Sequence, residues 1–122
     1  MSPKNDVLFV GIDLGTSRSS ISAGNGQRQW IESYVGWPKD FIAAQVVGKP
    51  VLFGSEVLEY RLSVDAVRPL QNGIIKEGIN RNEEAVKEII RHLIELAGPS
   101  AGQKIHAVVG VPAEAMRVSR QH

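Results

Sequence analysis

Hydrophobic and polar positions along the chain fall into a few regular stretches separated by glycine and proline. Val7 to Asp13 is a run rich in apolar, β-branched and aromatic residues, the composition of a buried strand. Polar Gly15-Thr16-Ser17 follows at once, and then an alternating stretch, about Ser19 to Gly24, sets Ile21 and Ala23 against Ser20 and Ser22. The pattern predicts strand, tight turn, strand. Asn25-Gly26 is a strong hairpin signal, because a type I′ turn needs positive φ at both central residues, so a third antiparallel strand is expected over about Gln27 to Ser33.

From Tyr34 to about Gly78 the periodicity loosens, and Pro38, Pro50 and Pro69 punctuate short apolar pieces. Val51 to Phe53 suits a short strand and Ser55 to Leu62 a short helix with Ser55 as its cap. Trp37, Phe41, Phe53 and Tyr60 are expected to form a minor core, since large exposed apolar patches are rare. Asn82 to Ala97 carries the clearest helical pattern. Val86, Ile89, Ile90, Leu93, Ile94 and Ala97 form one stripe, Glu83 and Glu84 lie in the first turn, and Gly98-Pro99 stop it. His92, on the polar side, is expected to pair with Glu88 one turn earlier. Ile105 to Val111 then predicts a buried strand, reached by a right-handed helical crossover and parallel to the first. Its end, Gly110-Val111-Pro112-Ala113, is expected to open beside Asp13, with a helix starting near Ala113.

The turn carries the candidate chemistry. Asp13 stands at the carboxyl end of a strand, and Gly15 permits a backbone in which successive N–H groups converge on an anion. Thr16 and Ser17 add hydroxyl donors. The set suits a phosphate chain with its cation: donors for the phosphate oxygens, and Asp13 for Mg²⁺, directly or through water. The same residues are also ordinary turn formers, and D-x-G-[ST]-[ST] arises by chance in roughly one chain in a hundred of this length. Neither the Walker A lysine nor a GxGxxG pattern accompanies it, so context has to decide.

Context comes from the rest of the chain. GIDLGTS after an apolar strand resembles the first phosphate motif of the actin, Hsp70 and sugar-kinase superfamily of ATPases. Val35-Gly36-Trp37-Pro38-Lys39-Asp40-Phe41-Ile42, Val47-Gly48-Lys49-Pro50, Arg68-Pro69-Leu70-Gln71-Asn72-Gly73-Ile74-Ile75 and Ala107-Val108-Val109-Gly110-Val111-Pro112-Ala113 follow in order. Together they are similar to the bacterial actins of magnetosome chains. The R-P-L stretch is shared with rod-shape bacterial actins, V-P-A with Hsp70, and V-G-x-P-K-D favours the magnetosome type.

The resemblance implies an α/β fold: part of an actin-like (ribonuclease H-like) ATPase half-domain, with a mixed sheet, antiparallel strands one to three, a crossover helix and a parallel fourth strand. Residues 1–33 with 79–122 would be the first part of subdomain IA, and 34–78 the inserted subdomain IB. It places Asp13, Leu14, Gly15, Thr16, Ser17 and Arg18 at the phosphates of ATP, with Asp13 at Mg²⁺ through water. Arg18 stands at a position that varies in the family: its guanidinium could reach phosphate or point to solvent, and solvent is the expected direction. In the family, ATP binding favours the filament-competent shape and hydrolysis weakens subunit contacts. The implied partners are further copies of the same protein and magnetosome-associated adaptors, in a cytoplasmic, cytoskeletal setting. The later family motifs are not in these 122 residues. The fragment alone is therefore expected neither to hydrolyse ATP nor to assemble, and to be aggregation-prone or partly molten. A sugar or acetate-type kinase shares only the turn, and an Hsp70-like chaperone shares the turn and V-P-A.

Composition narrows the rest. With 14 basic and 13 acidic residues the chain is nearly neutral, which points away from nucleic acid and from a membrane surface. There is no cysteine, hence no disulfide and no thiolate metal site, and the 3 histidines are scattered. No apolar run approaches membrane-spanning length, so no membrane insertion is expected.

Overall fold

A computed structural model describes residues 7–70 and 80–111. Strands β1 (Val7–Leu14), β2 (Arg18–Ala23) and β3 (Arg28–Glu32) form an antiparallel meander. Strand β7 (Lys104–Gly110) lies on the other side of β1 and parallel to it, in register from Val7 opposite Lys104 to Asp13 opposite Gly110. The order β3-β2-β1-β7 is the mixed sheet expected.

Alternation decides which face is covered. Leu8, Val10, Ile12 and Leu14 are buried, while Phe9, Gly11 and Asp13 between them are exposed. Helix α3 (Asn80–Leu96) lies over the buried face, with Ala85, Ile89, Leu93 and the following Ala97 fully buried in one row four residues apart. Val86, Ile90 and Ile94, expected on the same stripe, are its half-buried flanks. The smallness of Ala85 and Ala97 allows the helix to approach the sheet along that row. Burial of each Leu or Ile here contributes about 1.5–3 kcal/mol.

Two expectations of full burial are corrected. β1 is covered on one face only. β7 is largely exposed, with Val108 at 67%: among the described residues it pairs with β1 alone, and α3 lies over β1 and β2. The hairpin also differs from a type I′ turn. Its loop is the three residues Gly24 to Gly26, closed by Ala23 N–H to the Gln27 carbonyl (2.9 Å) and Gly26 N–H to the Ala23 carbonyl (3.0 Å), with Gly26 at φ 93°. Asn25 is thereby free to donate through Nδ2 to the Ala97 carbonyl at 2.7 Å, capping the end of α3.

Between β3 and α3 lies a second, three-stranded sheet that the loosened pattern concealed. β4 (Val35–Pro38) is its centre, flanked by β5 (Leu52–Phe53) and β6 (Val64–Val67), all antiparallel. Helices α1 (Phe41–Val47) and α2 (Ser55–Glu59) complete it, and Val47, Leu52, Val57 and Val64 form its own small core. Gly36 sits under close packing at the centre: a Cβ there would stand 3.1 Å from Val64 Cγ2 and 3.2 Å from Val57 Cγ1, so those side chains would have to shift by a few tenths of an ångström. α1 is capped by Asp40, whose Oδ1 accepts from Ala43 N–H at 2.8 Å.

The short helix does not begin as expected. Its cap position is Gly54, at φ 65°, and Ser55 is its first helical residue. Glu32 supplies the cap from the first sheet, with Ser55 N–H donating to Glu32 Oε1 at 3.1 Å. The helix also stops three residues short of Leu62. The expected minor core is corrected too: Tyr60 joins the small core, Trp37 and Phe53 pack against the larger one, and Phe41 is 76% exposed. The helix expected near Ala113 and the Gln71 to Ile75 part of the R-P-L motif lie outside the described residues.

Candidate functional site

The turn between β1 and β2 is built from both sheets. Gly15 is tied into it sterically, since a Cβ at this position would stand 2.4 Å from the Arg18 carbonyl oxygen. No side chain fits against backbone at that distance. Each carbonyl of the turn is then taken by a donor from later in the chain. Ser33 Oγ donates to the Gly15 carbonyl at 2.7 Å, and Ser33 N–H donates to the Ser17 carbonyl at 3.0 Å. Arg68 Nε donates to the Thr16 carbonyl at 3.1 Å.

Behind these bonds sits a buried pair of hydroxyls. Ser19 and Ser33 are both fully buried, with their Oγ atoms 2.8 Å apart. Because the one proton of Ser33 Oγ is spent on Gly15, Ser19 is the donor between them. The carbonyls of residues 15 to 17 thus point toward residues 33 and 68, and these bonds use none of the N–H groups of the turn.

Asp13 is exposed at the carboxyl end of β1, with Ser20 opposite on β2 and Gly110 opposite on β7. The carboxylate, the hydroxyl of exposed Ser17 and half-buried Thr16 therefore lie at one end of the sheet, and Gly110 adds no side chain beside Asp13. Leu14, included among the expected site residues, is only 2% exposed, so its side chain belongs to the core and only its backbone borders the turn. Arg18 turns away from the turn to the exposed face of the sheet, its guanidinium carbon 4.8 Å from the Trp30 ring centroid.

Donor chemistry limits what the site can hold. Among the described residues no group of three or more His, Asp or Glu could cage a metal ion. A single exposed carboxylate beside anion donors instead fits Mg²⁺, which keeps most of its water and is held by one or two carboxylates together with phosphate oxygens. The glycine-only approach at residue 15 and the engaged carbonyls fit a phosphate chain.

His92 is not part of this site. Its ring stacks on Phe53 with centroids 4.0 Å apart, and Glu88 pairs with Arg91, which corrects the expected Glu88 partner. Burial in that stack is the main cause that lowers the His92 pKa, with Lys49 acting in the same sense and Glu95 and Glu56 opposing.

Arg68 and Ser33 are the residues that motif reading missed. Arg68 stood in a quoted motif, but its partner is 52 residues away. A lone buried serine leaves no pattern.

No model of a known protein family matches the chain. The actin-like protein MamK of Magnetospirillum gryphiswaldense is 40% identical over 108 residues, which is 88% of this chain and 30% of that protein. MamK of Paramagnetospirillum magneticum is 37% identical over 113 residues, 93% of this chain and 33% of that one. Among solved structures, a non-polymerising MamK mutant bound to AMPPNP superposes with a TM-score of 0.81 at 37% identity, over 90% of this chain and 34% of that one. A MamK double helical filament gives a TM-score of 0.81 at 36% identity, over 94% of this chain and 35% of that one. The homologues of the chain are thus MamK actin-like proteins, its α/β fold is actin-like, and it spans about a third of their length.

Proposed function

We propose that the chain is the N-terminal segment of an actin-like cytoskeletal protein that binds ATP with Mg²⁺, assembles into filaments in the cytoplasm and organises magnetosome chains together with adaptor proteins. The observation that carries this reading is the likeness to MamK in both sequence and fold, over a stretch that includes the turn at Asp13 to Arg18. Neither a sugar kinase nor an Hsp70-like chaperone is among the relatives described above.

In this reading the backbone of Leu14 to Ser17 and the hydroxyls of Thr16 and Ser17 bind the β- and γ-phosphates, and Asp13 orients the water shell of the cation. Mg²⁺ held there would supply charge neutralisation of the phosphates. The meander with α3 and β7 corresponds to subdomain IA, and the three-stranded sheet to the inserted subdomain IB. Residues 1–122 alone neither hydrolyse ATP nor polymerise, because a nucleotide cleft between two halves is not completed by one.

Sedimentation of the complete gene product that carries these residues tests the proposal. The expected result is pelleting with Mg·ATP, none without nucleotide, and none for Asp13→Ala. Failure of the unsubstituted protein to pellet over a range of ATP and salt concentrations would overturn the filament reading. An immunoblot of cell extract against this segment sets the size of that product. A stable product of about 13 kDa would reduce the claim to a phosphate-binding remnant.

A further inference from the structure

We infer that Arg68 is a positioning residue for the phosphate turn, one that sets the direction in which the Ser17 hydroxyl donates. The inference rests on the nucleotide reading above and goes beyond it, since the turn motif contains no residue from this part of the chain.

Arg68 directly follows β6, and the next two residues, Pro69 and Leu70, are fully buried, so its backbone is fixed. The side chain reaches back across the molecule. Nε donates to the Thr16 carbonyl at 3.1 Å and Nη2 donates to Ser17 Oγ at 3.4 Å. The guanidinium carbon also lies 5.4 Å from the Tyr34 ring centroid, which supports the group from the side of the small sheet.

The protonation chemistry of arginine gives this contact a direction. A guanidinium only donates, so it occupies a lone pair of the Ser17 hydroxyl, and the proton of that hydroxyl must be offered elsewhere. Ser17 is exposed, and its own carbonyl is engaged by Ser33 N–H. The proton is therefore available on the open side of the turn, where an anion meets the N–H groups of the same residues. Accepting a bond from a cation also makes a hydroxyl a stronger donor. The second bond, to Thr16, holds the peptide whose carbonyl must point inward for its neighbours to face outward. A lysine supplies the charge but not the planar fork, so it satisfies one of the two acceptors at a time.

The test is a double-mutant cycle on Mg·ATP affinity, measured by calorimetry on the complete gene product, with Arg68→Gln, Ser17→Ala and the pair, and with folding checked by circular dichroism. Arg68→Gln is expected to weaken binding about tenfold and Ser17→Ala about tenfold, the scale of one lost charge-assisted bond. The double variant should be less than threefold weaker than Ser17→Ala, because Arg68 acts largely through Ser17. Arg68→Lys should recover only part of the loss, and it carries the test if Arg68→Gln does not fold. Binding within twofold of the unsubstituted protein for either Arg68 variant, or fully additive losses, would overturn the inference and leave the nucleotide reading intact. No binding by the unsubstituted protein would overturn both.

Discussion

Removing one buried hydroxyl should loosen the turn and cost more than its size suggests. Ser33 is fully buried and makes two side-chain bonds, donating to the Gly15 carbonyl at 2.7 Å and accepting from Ser19 across 2.8 Å. Ser33→Ala deletes both and strands a buried hydroxyl and a carbonyl. Each intramolecular hydrogen bond contributes about 0.5–1.5 kcal/mol net, and an orphaned buried partner costs about 1–3 kcal/mol, so the expected loss is about 2–3 kcal/mol. Ser19→Ala removes only one bond and leaves Ser33 its Gly15 partner, for a loss of about 1 kcal/mol. The double variant leaves no orphaned hydroxyl, so it should be no less stable than Ser33→Ala alone.

Urea unfolding followed by fluorescence of Trp30 and Trp37 measures this cycle, one tryptophan reporting from each sheet. Amide exchange at Thr16 and Ser17 reports the turn directly and should accelerate in Ser33→Ala. A Ser33→Ala loss below about 0.5 kcal/mol, or single losses that simply add, would refute the reasoning, because residues in one network are expected to couple.

Two further outcomes follow from single positions. Gly15→Ala forces a methyl to 2.4 Å from the Arg18 carbonyl oxygen, against backbone that has no rotamer to yield, and should destabilise the chain by about 1–3 kcal/mol and abolish nucleotide binding by the complete gene product. Unchanged melting of that variant would show that the turn relaxes. His92 has a folded-state pKa lowered chiefly by burial against Phe53, so the unfolded chain takes up the proton first as pH falls. Stability attributable to His92 is therefore fully present above its ordinary pKa of about 6.5 and lost as pH drops below it. Melting curves between pH 7.5 and 5 should show that loss, and His92→Phe should flatten it; an equal slope in both proteins would refute the assignment.

The larger sheet was legible because its signals are local. β1 and β2 announce themselves by composition and alternation, and α3 by its stripe, with Glu83 in the first turn and Gly98-Pro99 at the other end. Parallel pairing of β7 with β1 follows from an intervening helix. The errors have a common cause in neighbours that sequence does not reveal. An apolar run such as Val108-Val109 looks the same whether its faces are covered or open, and among the described residues they are open. The small sheet was hidden because its strands are two to four residues long, too short for a period, and because Gly36 reads as a breaker although it is selected by Val57 and Val64 packing over it. Likewise Ser55 looks like a cap until Glu32, 23 residues earlier, takes that role.

The site divides along the same line. The groups that could touch an anion, Asp13 and residues 14 to 17, lie in one continuous stretch, so a short motif captures them. The groups that aim them do not. A peptide whose carbonyl is held on one side is oriented with its N–H toward the other, and in this turn the donors that hold the carbonyls come from residue 33, after the meander, and residue 68, after the small sheet. Neither is specified by local propensity, since serine and arginine are common in any chain and their role exists only once the two sheets meet. The motif therefore predicts which atoms face the ligand. Ser33, at the end of the meander, and Arg68, from the insertion between β3 and α3, supply the bonds that orient those atoms, and this ties the turn and the small sheet into one structural unit.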